Sequence, residues 1–393
     1  MKILLINKFY YPRGGDCTYT LNLERLLKDK GHEVAIFACD YPENIPSVWT
    51  KYFPSEISFS DSVTQKLKAA GRAILGSGVK EKLNDLLKDF RPDIVHLNNI
   101  HSYLSPIICK IAEKNKIPVV WTLHDYKLIC PSYSCLNKNE VCELCFTDRL
   151  SVLKQRCMKN SLPASLIAYL ESAYWNPDKL QKNITFICPS EFMQRKMKQG
   201  GYQNASSYVL NNFIYNLSSH QITSKENSYC YIGRISEEKG VETLLKAAHA
   251  IAGKLYIVGD GPLLHQLKGK YNSANIIFTG KLNFEGVAEI LAKCKFNVVP
   301  SEWYENNPFS VIESLCLGTP VLGANIGGIP ELIENGKNGL TFESRNVDDL
   351  KQKIEEMFSL SFKNEEIAAQ AQARFDKENY YNELMKIYNN LLR

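Results

Sequence analysis

A chain of 393 residues, 45% hydrophobic and 23% charged, has the balance of a soluble globular protein and the length of about two domains. Its formal charge of +5, from 47 basic and 42 acidic side chains, is far below that of a dedicated nucleic-acid binder, so no nucleic-acid partner is expected. No stretch approaches the roughly 18 apolar residues that cross a bilayer, and any membrane contact is expected to be peripheral.

Ile3–Ile6 is a short apolar run stopped by Asn7-Lys8 and followed by Pro12, without the small-residue cleavage site of a signal peptide. A cytoplasmic chain is expected. Lys2–Ile6 reads as a strand, about Thr18–Lys30 as a helix ended by Gly31, and Val34–Ala38 as the next strand. Between the first strand and helix, Pro12-Arg13-Gly14-Gly15 offers glycines that permit positive φ and close backbone approach to a phosphate, or simply make a turn. Asp93–Leu97, Pro118–Leu123 and Thr185–Cys188 read as further strands with helices between them. Strand and helix in alternation make a parallel sheet covered on both faces.

Cys130, Cys135, Cys142, Cys145 and Cys157 follow the strand that ends at Thr122-Leu123-His124-Asp125. The Cys142–Cys145 gap is that of a zinc knuckle, and Cys130, Cys135 or Cys157 would complete four thiolates; the spacing leaves structural zinc, free or core thiols and a disulfide all open. Cys39, Cys109, Cys188, Cys230, Cys294 and Cys316 fall in strand or helix patterns and are expected in the core. Two basic groups, Arg149, Lys154, Arg156 and Lys159, and Lys66, Lys68, Arg72, Lys80 and Lys82, read as solvated faces that would also suit an anionic membrane surface. The insertion that carries the Arg149–Lys159 stretch is the expected membrane-facing or partner-facing element.

Around 211–227 the pattern lapses into polar residues, Asn211, Asn212, Asn216, Ser218, Ser219, Thr223 and Ser224 among them. The expected division is 1–212 for a first domain with a Cys-rich insertion at 130–157, 213–227 for a linker, 228–374 for a second domain, and 375–393 for a terminal helix that packs back on the first. Strands are expected at Ser228–Ile232, Lys254–Val258, Asn275–Phe278, Phe296–Val299 and Pro320–Gly323, and helices near Val241–Ala252, Leu282–Cys294 and Pro308–Leu317. The fold class is therefore α/β, two Rossmann-like doubly wound domains facing across a cleft.

Gly233-Arg234 ends a strand and Lys239-Gly240 opens a helix, so two cations five residues apart can converge on one anion such as a diphosphate, or pair with Glu237 and Glu238 as an ordinary surface loop. In Glu305-Asn306-Asn307-Pro308-Phe309-Ser310-Val311-Ile312-Glu313, Pro308 suits the first helical position with Asn307 as N-cap, leaving the amides of Phe309 and Ser310 for an anion. Glu305 precedes that helix and Glu313 lies in its second turn. Their carboxylates point to different places, unlike the pair of a glycosidase. Gly259-Asp260-Gly261-Pro262 and Gly327-Gly328-Ile329-Pro330-Glu331 are turns after strands.

The ordered set Gly233-Arg234, Glu238-Lys239-Gly240, Val258–Pro262, Pro300-Ser301, Glu305 with Glu313, Gly318–Val321, Gly327-Gly328 with Glu331, and Asn338–Leu340 resembles the retaining family 4 glycosyltransferases of GT-B architecture. The resemblance spans essentially the whole chain. It implies a nucleotide-diphosphate sugar as donor substrate, no cofactor required for catalysis, a glycan or lipid-linked acceptor, and a place in surface polysaccharide biosynthesis. It implies that Arg234 and Lys239 hold the diphosphate, that Glu313 binds the ribose, and that Glu305 holds the sugar with the Asn306–Phe309 backbone. Gly15 would cover the donor phosphates, and His124 would stand beside the donor sugar, with His96, Asn98, Asn99 and His101 on the acceptor side. The family's usual Glu-Gly-Phe-Gly is here Glu305-Asn306-Asn307-Pro308, and Asp16-Cys17 departs from the family's small residue followed by Glu. A nucleotide-sugar 2-epimerase shares the architecture but lacks the Gly-Arg…Lys-Gly pattern. A non-catalytic nucleotide-sugar scaffold would be expected to have lost the cationic pair or a carboxylate, and this chain has kept both.

Overall fold

Continuous apolar strands separated by amphipathic helices produce two parallel sheets of six strands each. The computed structural model describes residues 1–57, 63–216, 225–249 and 251–393. Ser218, Ser219, Thr223 and Ser224 of the polar segment lie outside the described residues, as does the side chain of Lys66. The chain divides into one unit of Met1–Asn137, Cys142–Asn211 and Tyr380–Arg393, and a second of Lys138–Val141 and Asn212–Asn379.

In the first unit the strands are β1 (Lys2–Ile6), β2 (Glu33–Phe37), β3 (Ile94–Leu97), β4 (Val119–Thr122), β5 (Ile184–Cys188) and β6 (Ser206–Val209), in the spatial order β2-β1-β3-β4-β5-β6. Ile3 pairs with Val34 on one side and Ile94 on the other. The side chains from Ile3 to Ile6 are completely buried, because helices cover both faces of the sheet. Helix α1 (Gly15–Asp29) follows β1 and ends where Gly31 takes a φ of 79°. Next come α2 (Val63–Leu75), α3 (Lys80–Phe90), α4 (Ile107–Lys114), α5 (Leu162–Tyr174) and α6 (Glu191–Met197). Arg72 does not join a basic surface patch. It is buried, and its guanidinium donates to the carbonyls of Ser77 (3.1 Å) and Ser55.

The second unit repeats the plan with β7 (Ser228–Ile232), β8 (Lys254–Val258), β9 (Ile276–Gly280), β10 (Phe296–Val299), β11 (Val321–Ala324) and β12 (Gly339–Phe342), ordered β9-β8-β7-β10-β11-β12. Its helices are α7 (Val241–Ala248), α8 (Leu264–Lys270), α9 (Phe284–Lys293), α10 (Phe309–Cys316), α11 (Val347–Ser359) and α12 (Asn364–Arg374). Tyr229 and Phe296 stack with ring centroids 5.3 Å apart in its core. The last helix, α13 (Lys377–Leu391), belongs to the first unit from Tyr380 onward. The six cysteines expected in the core are all buried. Among the described residues no helix is long and apolar enough to cross a membrane.

Candidate functional site

Both sheets reverse strand order at one point, between β1 and β3 in the first unit and between β7 and β10 in the second. Loops leaving neighbouring strands there run to opposite faces, which opens a crevice at the carboxyl ends of the strands. The loops that carry Gly15, Asn98 and Asn99 in the first unit, and Arg234, Lys239 and Glu305 in the second, leave the strands at those points.

In the second unit, β7 leads into Gly233-Arg234. Arg234 is exposed and has no side-chain partner among the described residues. Lys239 is held very differently. Its ammonium is 2.6 Å from Glu305 Oε1 and 5.1 Å from the centroid of the Trp303 ring. The same carboxylate oxygen accepts from Ser301 Oγ at 2.8 Å and Trp303 Nε1 at 2.9 Å. Burial alone would raise the pKa of Glu305, but the Lys239 charge and these three donors outweigh it, and the carboxyl sits below its usual value. Glu305 is therefore an anion whose first task in this structure is to fix Lys239.

Two glycines make that pairing geometrically possible. Gly240 has a φ of +65°, and a Cβ there would stand 1.9 Å from the Pro300 carbonyl oxygen. Gly327 has a φ of +63°, and a Cβ would come 2.4 Å from the Glu305 carbonyl oxygen, while the amide of Gly328 donates to that oxygen at 2.7 Å. Only a residue without a side chain fits either place.

The structure corrects the capping expected for α10. Its N-cap is Pro308, in extended conformation, and the helix begins at Phe309. The Asn307 side chain is engaged elsewhere: its Oδ1 accepts from the Asn212 amide at 2.7 Å, and its carbonyl from Asn212 Nδ2 at 2.8 Å. Phe309 and Ser310 still open the helix, where backbone amides lack partners within it. Glu313 lies in the second turn. No side-chain donor reaches it among the described residues, and burial pushes its carboxyl up to about 7.

In the first unit, Gly15 is the first residue of α1 and the loop before it is exposed. Positive φ is not what these glycines provide, since Gly14 is extended with φ −154°. Asp16 accepts from Asn99 Nδ2 at 3.2 Å, linking the start of α1 to the end of β3. His124 follows β4, and its Nε2–H donates to Asn98 Oδ1 at 3.0 Å. Asn98 Nδ2 is buried without a partner among the described residues, an orphaned donor beside the histidine. Burial pushes His124 down to about 4 against a smaller opposing pull from Asp16, so the imidazole is neutral at physiological pH.

His96 lines no surface. It is fully buried, with Nδ1 hydrogen-bonded to Tyr388 and Nε2 to Thr122 Oγ1 at 2.8 Å. His101 packs against Trp121 with centroids 5.1 Å apart. Tyr19 bonds Thr122 Oγ1 at 3.2 Å and Tyr380, and its ring lies 4.8 Å from that of His124. Sequence reasoning missed these tyrosines, and only the amphipathic pattern of the tail hinted at them.

The insertion brings its five thiols near enough to act on one another electrostatically. Cys130 faces Cys135 and lies 3.1 Å from Ser132 Oγ, while Cys145 packs with Val152, Ala168, Cys157 and Met158. Among the described residues no three His, Cys, Asp or Glu side chains are placed to hold a metal ion. The basic stretch beside them is only partly free. Lys154 pairs with Asp148 at 2.8 Å and Arg149 donates to the Ser172 carbonyl, leaving Arg156 and Lys159 exposed.

Two doubly wound parallel sheets, each with polar residues at its switch point, define a two-domain Rossmann-like α/β protein. Residues 13–215 match the model for Glycosyltransferase Family 4, and residues 216–374 match that for Glycosyl transferases group 1. The chain belongs to this glycosyltransferase family. It is 30% identical to an uncharacterized glycosyltransferase of Methanocaldococcus jannaschii over 53% of this chain and 56% of that protein. It is 25% identical to an uncharacterized 42.6 kDa protein in the cps region of Klebsiella pneumoniae, over 84% of this chain and 87% of the relative. Anabaena HepE, solved in complex with UDP and glucose, superposes with a TM-score of 0.69 at 16% identity, covering 99% of this chain and 100% of that one.

Proposed function

We propose that the protein transfers a hexose-type sugar from a nucleotide-diphosphate sugar to a glycan or lipid-linked acceptor, with retention and without need of a metal ion. The observation that carries this reading is the loop after β7, where Arg234 has no side-chain partner among the described residues and Lys239 is fixed by Glu305. Leaving-group departure from a sugar nucleotide develops negative charge on the diphosphate. A cation already held in place stabilises that charge without reorganising when the bond breaks. Arg234 offers its planar fork to the phosphates and Lys239 a point charge. The amides of Phe309 and Ser310 supply the positive end of α10, and Glu313 accepts from the ribose hydroxyls. His124, neutral and oriented by Asn98, serves as a hydrogen-bond partner to a sugar hydroxyl, and Gly15 lets backbone approach the donor. The relative in a cps region and the UDP-bound structural neighbour support a nucleotide-sugar donor and a glycan product.

Incubation with a panel of nucleotide sugars, read as nucleotide release, tests the reading. Arg234→Ala and Lys239→Ala should each lower turnover about a hundredfold to a thousandfold with the fold retained. Turnover like wild type in both variants removes the leaving-group role.

A further inference from the structure

Helix α5 is built inside out. Its buried residues include Ser165, Ala168, Glu171 and Ser172, while Leu162, Leu166, Leu170 and Tyr174 are 51%, 42%, 44% and 40% exposed. A spacing of four places these last residues on one stripe of the helix. An ordinary surface helix turns such a stripe to the core. Here the inward side sets Ala168 among polar groups that are satisfied: Glu171 pairs with Lys127 at 3.2 Å, Ser165 Oγ accepts from the Met158 amide at 3.1 Å, and Ser161 Oγ caps the helix start. The orientation is thus fixed by specific bonds. Leu75, at the end of α2, which packs against α5, adds a further exposed side chain.

We propose that this stripe docks on the surface of an anionic lipid bilayer, with α5 lying in the interfacial plane. The charges flanking it select that occupant. Arg156 and Lys159 precede the helix, and Lys179 and Lys182 follow it, all exposed. The acidic residues of the segment 156–182 are Glu171, turned inward, and Asp178. The Lys179 ammonium lies 3.6 Å from the centroid of the Tyr174 ring, so the helix ends in an aromatic residue beside a cation. Apolar side chains between basic ends, with a tyrosine at the boundary, match the headgroup layer of an anionic membrane. A second protein copy would be offered the same leucines ringed by like charges.

The inference deepens the lipid-linked acceptor reading, and its test needs neither donor nor acceptor, so the two fail separately. The full chain is sedimented with vesicles of phosphatidylcholine containing about one third phosphatidylglycerol, and with neutral vesicles. Binding should be confined to the anionic vesicles. Leu166→Ser with Leu170→Ser should lower partitioning by more than about tenfold, and Lys159→Glu or Lys179→Glu by at least roughly fivefold each. Circular dichroism should be unchanged, since these side chains face outward. Absence of wild-type binding, or equal binding by the leucine variant, overturns the proposal. So does a dimer in light scattering that the leucine variant abolishes, because a second copy would then own the stripe.

Discussion

The buried Glu305 and the half-buried Glu313 end in opposite protonation behaviour, and their partners set the direction. Glu305 is surrounded by Lys239, Ser301 and Trp303 and stays ionised, whereas Glu313 has burial without a donor and is raised from 4.5 to about 7. A carboxyl raised in the folded state binds its proton more tightly there than in the unfolded chain. Its contribution to stability is therefore fully present below about 4.5 and is lost as pH rises through 7. Glu313→Gln keeps the neutral form at every pH. It should match wild type in thermal denaturation near pH 5 and exceed it by at least about 2 °C at pH 8, while binding nucleotide more weakly because an amide is a poorer acceptor for ribose hydroxyls. A difference between the two proteins that does not change with pH would show that Glu313 is solvated in the folded state. Arg234, Lys239, Glu305 and Glu313 stand on the turns and the helix that the sequence signals predict. The sequence did not reveal that Lys239 is bound to Glu305, because the pair is separated by 66 positions and brought together by neighbouring strand ends.

At the scale of elements, the strands read most directly are those whose apolar runs are sharply bounded. β1, β7, β8 and β10 coincide residue for residue with the runs Lys2–Ile6, Ser228–Ile232, Lys254–Val258 and Phe296–Val299. β6 escaped the reading because Ser206–Val209 is an edge strand, mostly exposed and half polar, and β12 because it opens on Gly339 and carries Thr341 among its four residues. The contribution of α13 was equally hidden. Its Tyr380 and Tyr388 reach Tyr19 and His96 across 361 and 292 positions. Together with Thr122 they form a buried hydrogen-bonded group under the strand end that carries His124. Tyr388→Phe leaves His96 Nδ1 unpaired in a site without water access and should cost about 1–3 kcal/mol. Tyr380→Phe should cost a similar amount through Tyr19. Because both act on one Thr122 hydroxyl, the double variant should lose less than the sum of the two single losses. Strict additivity in denaturant unfolding would mean that the two tyrosines act on independent parts of the unit.

Across the whole molecule, the repetition of one plan in two units was legible because a strand–helix alternation that lapses into polar residues and restarts has few other meanings. The chain also distributes its four tryptophans unequally: Trp49, Trp121 and Trp175 belong to the first unit, and Trp303 alone to the second. Trp303 is the indole that donates to Glu305 and lies over Lys239. A diphosphate bound beside Lys239 would alter the charge beside that ring, so nucleoside diphosphate should change the intrinsic fluorescence of the protein. The change should disappear in Trp303→Phe and persist in Trp49→Phe. Binding should also raise the melting temperature, since a ligand held only by the folded chain adds about 2.7 kcal/mol at a hundred times its dissociation constant. Trp303→Phe removes one donor from Glu305 but leaves Ser301 and Lys239 in place, so the thermal shift should survive when the optical signal is lost. A fluorescence change that survives in Trp303→Phe would show that the nucleotide leaves the Lys239–Glu305 pair undisturbed.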